Sequence, residues 1–208
     1  DNRGFLPLVP EGRGKWRDLA HDVVLDFDGI RAALAREVVG HDVPDRWIAE
    51  ELLVAPGGGL PNDVKYLTFR GEPAAQFIRT NVPKRFKWFD EQWAEIESGL
   101  AEHIRDAAIE PPHDVAAYTS IALRVSAIVP LPFVRVDFLE TDRGPVVGEL
   151  TPYPGWAHRL TPELDARLGA RYEATEKAML AEALDWRSLI GDDRLLPLAP
   201  NPRPVVSS

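Results

Sequence analysis

An arginine, two acids and a threonine fall at alternate positions in residues 133–151, FVRVDFLETDRGPVVGELT, with Arg135 and Asp137 before an Asp142-Arg143-Gly144 turn and Glu149 and Thr151 after it. Alternating segments joined by such a turn predict a β-hairpin over 133–139 and 145–150. With the hairpin centred on Arg143, Asp137 faces Glu149 and Arg135 faces Thr151. Side chains alternate faces along a strand, so these four share one face. Val134, Val136, Phe138, Gly148 and Leu150 take the other, the face expected to meet the core. Opposed residues hold their Cβ atoms about 4.5–5.5 Å apart, so two carboxylates in this position need a shared proton, a neighbouring cation or a divalent metal. Oxygen-only ligands on a rigid sheet suit Mg²⁺, which takes one or two carboxylates and completes its shell with water and phosphate oxygens. Arg135 beside the pair is placed to neutralise a transferring phosphoryl group. A solvated hairpin face on which Arg135 simply neutralises both acids fits the same residues, because surface ion pairs on strands are common. A one-residue slip in register would scatter all four side chains.

The elements that must position this hairpin are legible along the chain. Residues 5–53 read as a β-β-α-β unit. It has an apolar stretch at 5–10, a glycine-bearing turn at 11–15, a strand at 23–25, and a helix with Asp28 as its cap and Ile30, Ala33, Leu34 and Val38 on one face. A further strand over 47–54 ends at Pro56-Gly57-Gly58-Gly59. Residues 64–70 and 73–80 read as a second hairpin about Arg70-Gly71-Glu72. Helices are expected near 88–106, with Trp93, Ile96, Leu100 and Ile104 on one side, and near 113–128. A last helix, roughly 161–184, opens at Thr161-Pro162-Glu163. The resulting division is a small unit over 1–54, a large unit over 55–190, and a proline-rich, unpacked tail over 191–208.

Four short runs, in order, carry a family resemblance: Glu50-Glu51-Leu52-Leu53, Asp63-Val64-Lys65-Tyr66, Arg135-Val136-Asp137 and Gly148-Glu149-Leu150-Thr151. Together they resemble the signature of the ATP-grasp superfamily, in which an Arg-x-Asp strand pairs with a Glu-x-Asn strand. Within it they are most similar to the TupA-like ATP-grasp proteins, associated with cell-surface polymer biosynthesis such as teichuronopeptide. The resemblance covers roughly residues 5–170. It implies an α+β fold of two lobes whose antiparallel sheets enclose a nucleotide cleft, with ATP and Mg²⁺ as cofactors. Asp137, Glu149 and Thr151 (where many relatives have Asn) then hold the metal. Glu50, Glu51, Leu52 and Leu53 form the hinge that reads adenine, Asp63 lies near ribose or metal, and Lys65 and Arg135 act on the phosphates. Arg79 follows with a looser alignment. Gly12, Gly14 and Lys15 resemble the phosphate-covering loop. The lysine that relatives carry at the end of the preceding strand is absent from Leu8-Val9-Pro10, and Arg13 or Lys15 would have to stand in for it. In the loop 151–159, His158 and Arg159 are expected to meet substrate. The other four histidines lack ligand spacing.

The implied activity is an ATP-dependent carboxylate–amine ligase working through an acyl phosphate, with small-molecule carboxylate and amine substrates. A homodimer is compatible with it. Two alternatives fit the same residues: a non-catalytic nucleotide- or partner-binding module, and a retaining glycosidase using two carboxylates about 5 Å apart.

Composition bounds these readings. The 208 residues are 45% hydrophobic and 27% charged, as in an ordinary globular domain. A net charge of −9 opposes a nucleic-acid partner. Zero cysteines exclude disulfides and thiolate metal sites. No apolar run reaches the roughly 20 residues of a membrane span. The first ten residues lack a basic region followed by an apolar core, so no signal peptide is expected, and a cytoplasmic protein is. The absence of an initiating Met is expected of a fragment or a trimmed chain.

Overall fold

A computed structural model describes residues 5–39, 46–155 and 159–190. The predicted tail, 191–208, and His158 lie outside the described residues.

Three short strands open the chain: β1 (Leu8–Gly12), β2 (Lys15–Asp18) and β3 (Val23–Leu25). They form an antiparallel sheet in the order β1-β2-β3 and are followed by α1 (Phe27–Val38). The cap of α1 is Asp26 rather than Asp28. The Asp26 carboxylate accepts the Gly29 N–H at 2.8 Å, and Asp28 sits in the first turn, where an acid favours the positive end of the helix dipole. The expected β-β-α-β order is therefore corrected to β-β-β-α. The charged tetrapeptide Lys15-Trp16-Arg17-Asp18 offers little strand signal, yet it pairs on both sides. Residues 46–55 form no strand. The end of that segment is held by side interactions instead: the Asp142 N–H donates to the Val54 carbonyl at 2.9 Å, and Arg143 lies 3.4 Å from Glu51.

The second sheet has six strands. These are β4 (Asp63–Phe69), β5 (Glu72–Asn81), β6 (Lys84–Phe89), β7 (Glu95–Ile96), β8 (Val134–Thr141) and β9 (Gly144–Thr151), in the order β7-β6-β5-β4-β8-β9, with every neighbouring pair antiparallel. Two helices follow in the chain: α2 (Val115–Ile128) before β8 and α3 (Pro162–Ile190) after β9. The helix expected over 88–106 is replaced by β6, β7 and loops. The spacing of Trp93, Ile96, Leu100 and Ile104 imitates a helical stripe, but Trp93 stands at φ 65° and Gly99 at φ 83°, values an α-helix does not admit. Ile104 is exposed.

Strand alternation divides the core between the two faces of this sheet. On one face Val64, Tyr66, Ile78, Phe89, Val134, Val136 and Phe138 pack with Tyr118 and Ala122, one helical turn apart on α2. On the other, Leu67, Phe69, Phe77, Phe86, Trp88 and Phe133 pack with Leu100 and with Leu164 of α3. The central strand β4 is buried along its whole length. Gly148 and Leu150, expected in the core, are exposed on the edge strand β9. Among the described residues, no helix is long and apolar enough to cross a membrane.

Candidate functional site

The face that carries Leu67 and Phe133 changes character toward the other end of β4. Continuing by alternation from Leu67, the next outward positions on β4 are Lys65 and Asp63. Opposite Lys65 on β8 stands Asp137, opposite Leu67 stands Arg135, and opposite Asp63 on β5 stands Arg79. On β9, Glu149 faces Asp137 and Thr151 faces Arg135. This is the register expected from sequence at the site end of the hairpin. A bulge at Gly148 shifts the pairing by one residue from there to the two-residue turn Asp142-Arg143.

These side chains form one ladder of charge-assisted hydrogen bonds. Arg79 donates through Nε and Nη2 to Asp63 Oδ2 at 2.9 and 2.6 Å. Lys65 Nζ lies 3.6 Å from Asp63 Oδ1 and makes a short contact to Asp137 Oδ2. Arg135 grips Asp137 with both arms, Nε to Oδ1 and Nη2 to Oδ2, each at 2.6 Å. Arg135 Nη2 also donates to Thr151 Oγ1 at 2.9 Å, and that hydroxyl donates to Glu149 Oε1 at 3.2 Å. Asp63, Lys65 and Asp137 are buried and Glu149 is exposed. A neutralised but solvated hairpin face is therefore not what forms. Two cations, Lys65 and Arg135, converge on one carboxylate that is 3% exposed.

Such an arrangement suits an anionic ligand. Where two cations share one carboxylate, a phosphate can recruit either of them while the other keeps Asp137 compensated. For a metal, Asp137, Glu149 and Thr151 offer hard oxygen donors from facing strands, the donor class Mg²⁺ prefers. Both oxygens of Asp137 already accept from Arg135 or Lys65, and no group of three or more His, Asp or Glu able to hold a metal occurs among the described residues. The donor set therefore fits a metal that brings its own phosphate and water ligands, not an all-protein cage.

The remaining predicted residues lie at the margins. Glu50 and Glu51 are exposed and Leu52 and Leu53 half-buried in the strandless segment beside the β8–β9 turn, at the Asp63 end of the ladder. Gly12, Gly14 and Lys15 occupy the exposed β1–β2 hairpin tip, on the other sheet, with both glycines at positive φ. Arg159 forms an ion pair with Glu102 at 2.5 Å. Arg79 is the member of the ladder that sequence placed only loosely. Centring the 64–80 hairpin on Gly71 would have set Arg79 against Asp63, which is where it stands.

Residues 31–173, more than half of the chain, match the TupA-like ATPgrasp family. The chain belongs to the TupA-like ATP-grasp family. All four strands' worth of ladder residues lie inside the matched segment, whereas the β1–β2 hairpin lies before it. Comparison with curated proteins gives no match. Among solved structures, D-alanine–D-alanine ligase from Bacillus anthracis is similar at 16% identity and a TM-score of 0.37, and the same ligase complexed with ATP at 17% and 0.36. Each similarity covers 81% of this chain and 52% of the ligase chain, so the TupA-like chain spans about half the length of those ligases.

Proposed function

We propose that this chain is the nucleotide-binding and phosphoryl-transfer portion of a Mg²⁺- and ATP-dependent carboxylate–amine ligase. The observation that carries this reading is the convergence of Lys65 and Arg135 on buried Asp137, opposite Glu149, inside the segment matched to the ATP-grasp family. In this reading the six-stranded sheet is the floor of the large lobe, and the three-stranded sheet with its Gly12–Lys15 tip is the small lobe. The backbone of 50–53 meets adenine, and Asp63, held by Arg79, lies toward the ribose.

The chemistry is one of positioning and charge. A carboxylate oxygen of the substrate attacks the γ-phosphorus of ATP, the bond from that phosphorus to the bridging oxygen breaks, and ADP leaves. An amine nitrogen then attacks the acyl carbon of the acyl phosphate, inorganic phosphate leaves, and the nitrogen loses a proton to give the amide. Lys65 and Arg135 neutralise the oxygens of the transferring group, each held in place by Asp137. Thr151 fixes the second arm of Arg135 and orients Glu149. Mg²⁺, when bound by Asp137, Glu149 and Thr151, supplies further neutralisation of the phosphates.

One feature favours a second reading, a nucleotide-binding module without turnover. The family's small-lobe lysine is missing from Leu8-Val9-Pro10, and Lys15 stands instead at an exposed hairpin tip. The glycosidase alternative loses ground. Both oxygens of Asp137 accept from Arg135 or Lys65, which leaves neither free to attack a sugar carbon. A screen of carboxylate and amine pairs for ADP release decides between ligase and module. The ligase reading predicts release that requires both partners and Mg²⁺ and that Glu149→Gln abolishes. ATP binding with no acceptor-dependent release supports the module.

A further inference from the structure

The functional face does not end at Arg135. Directly across from it stands Leu67, and by alternation Phe69 and Phe133 continue the same face. These three line the floor of a cavity of about 210 Å³. Its roof is a single stripe of α3, Asp165, Leu168, Gly169 and Tyr172, at the i, i+3, i+4, i+7 spacing of one helix face. Its side is the Pro152–Tyr153–Pro154 turn that leaves β9. The cavity therefore adjoins the ladder twice: Leu67 opposes Arg135, and Pro152 follows Thr151, which Arg135 touches at 2.9 Å.

Size, chemistry and position indicate what it holds. An apolar cavity of about 150 Å³ suffices for a benzene ring, so this one accommodates a benzyl or large branched alkyl group. The floor offers apolar side chains only, all buried. The charged residue in the lining is Asp165, an anion on the α3 roof, which opposes a carboxylate placed beside it. A cation, Arg135, adjoins the floor across from Leu67. We propose that the cavity receives the apolar, benzyl-sized side chain of the carboxylate substrate, with its carboxyl group turned toward Arg135. The assignment of the occupant as substrate rests on the ligase reading of the ladder. It makes the chain select aromatic or bulky carboxylic acids over small or acidic ones.

Gly169 gives a specific test. A Cβ added there meets no heavy atom within 4 Å, and Gly169 lines the cavity, so the ring of Gly169→Phe is expected to occupy it, while replacing a mid-helix glycine favours the helix. The probes are 3-phenylpropionate and propionate, titrated into the full chain by calorimetry, with thermal unfolding in Mg-ATP measured in parallel. The wild type is expected to bind 3-phenylpropionate at least tenfold more tightly than propionate. Gly169→Phe is expected to lose that preference and keep its nucleotide protection. Should Gly169→Phe not fold, Tyr172→Glu, at a side chain 42% exposed, places a charge in the roof and is expected to weaken 3-phenylpropionate about tenfold. Equal affinity for the two acids in the wild type, or an unchanged preference in a folded variant, overturns the proposal. A phenyl preference without any Mg-ATP protection sinks the ligase reading instead, and the assignment of the occupant as substrate with it.

Discussion

Asp137 and Glu149 face each other across β8 and β9, but their surroundings are opposite. Asp137 is enclosed and takes Arg135 on both oxygens with Lys65 beside it. Asp137→Asn leaves two cations sharing a neutral amide, and removing one partner of a buried ion pair costs about 3–5 kcal/mol. Urea unfolding should show that loss. Glu149 is solvent-exposed, so Glu149→Gln should change stability by less than about 0.5 kcal/mol while removing Mg²⁺-dependent turnover. The exposed acid is therefore the cleaner probe of chemistry. His103 gives a pH prediction. Burial lowers its pKa to about 4, with Glu102 opposing the shift and Lys84, Arg159 and Arg79 adding to it. The ring stacks on Phe86 at 3.8 Å, and its Nδ1 accepts the Trp88 indole N–H at 3.1 Å. Protonation would place a hydrogen against that indole donor. Because the folded-state pKa lies below the ordinary value of about 6.5, the contribution of neutral His103 is complete above pH 6.5 and is lost as pH falls toward about 4. His103→Gln should flatten the urea-midpoint profile across that window; a profile identical to the wild type would refute this account.

At the scale of elements, the start of α3 is set by one close approach. A Cβ at Gly99 would lie 2.6 Å from the Thr161 N and 2.9 Å from the Leu160 carbonyl carbon, at a φ of 83° that side chains avoid. Thr161 N–H donates to the Ser98 carbonyl at 2.9 Å in the same junction. Gly99→Ala must strain or displace it, at a cost on the order of 2–4 kcal/mol, measurable as a lower urea midpoint. The same junction shows why some elements were legible in sequence and others were not. Hairpins with a glycine turn and alternating strands, as at 64–80 and 133–151, carry their register locally, which is why Asp137 and Glu149 could be set face to face. The Lys65–Asp137 pairing joins residues 72 apart and has no local signal. Residues 88–106 misled because the end of β6, a turn, β7 and the loop after it happened to space Trp93, Ile96, Leu100 and Ile104 like a helix. Residues 46–55 are apolar enough for a strand but find side interactions with the β8–β9 turn instead of a sheet edge.

Across the whole molecule, three features follow one another along the strand direction of the six-stranded sheet. The 51–54 segment lies at the β8–β9 turn, the charge ladder follows, and the apolar cavity closes the row. From Asp63 to Phe69 is roughly 20 Å at about 3.3 Å per residue, a length suited to a nucleotide followed by a substrate. Ligand binding to the folded state alone stabilises it by about 2.7 kcal/mol at a hundredfold excess over Kd, so saturating Mg-ATP should raise the unfolding temperature of the chain by several degrees. The central claim is that Glu149, with Asp137 and Thr151, joins metal and nucleotide on this ladder. Calorimetric titration of ATP into the wild type and Glu149→Gln, each with and without Mg²⁺, tests it most directly. The account predicts that Mg²⁺ tightens ATP binding at least tenfold in the wild type and leaves it unchanged in Glu149→Gln. Equal tightening by Mg²⁺ in both proteins would contradict it.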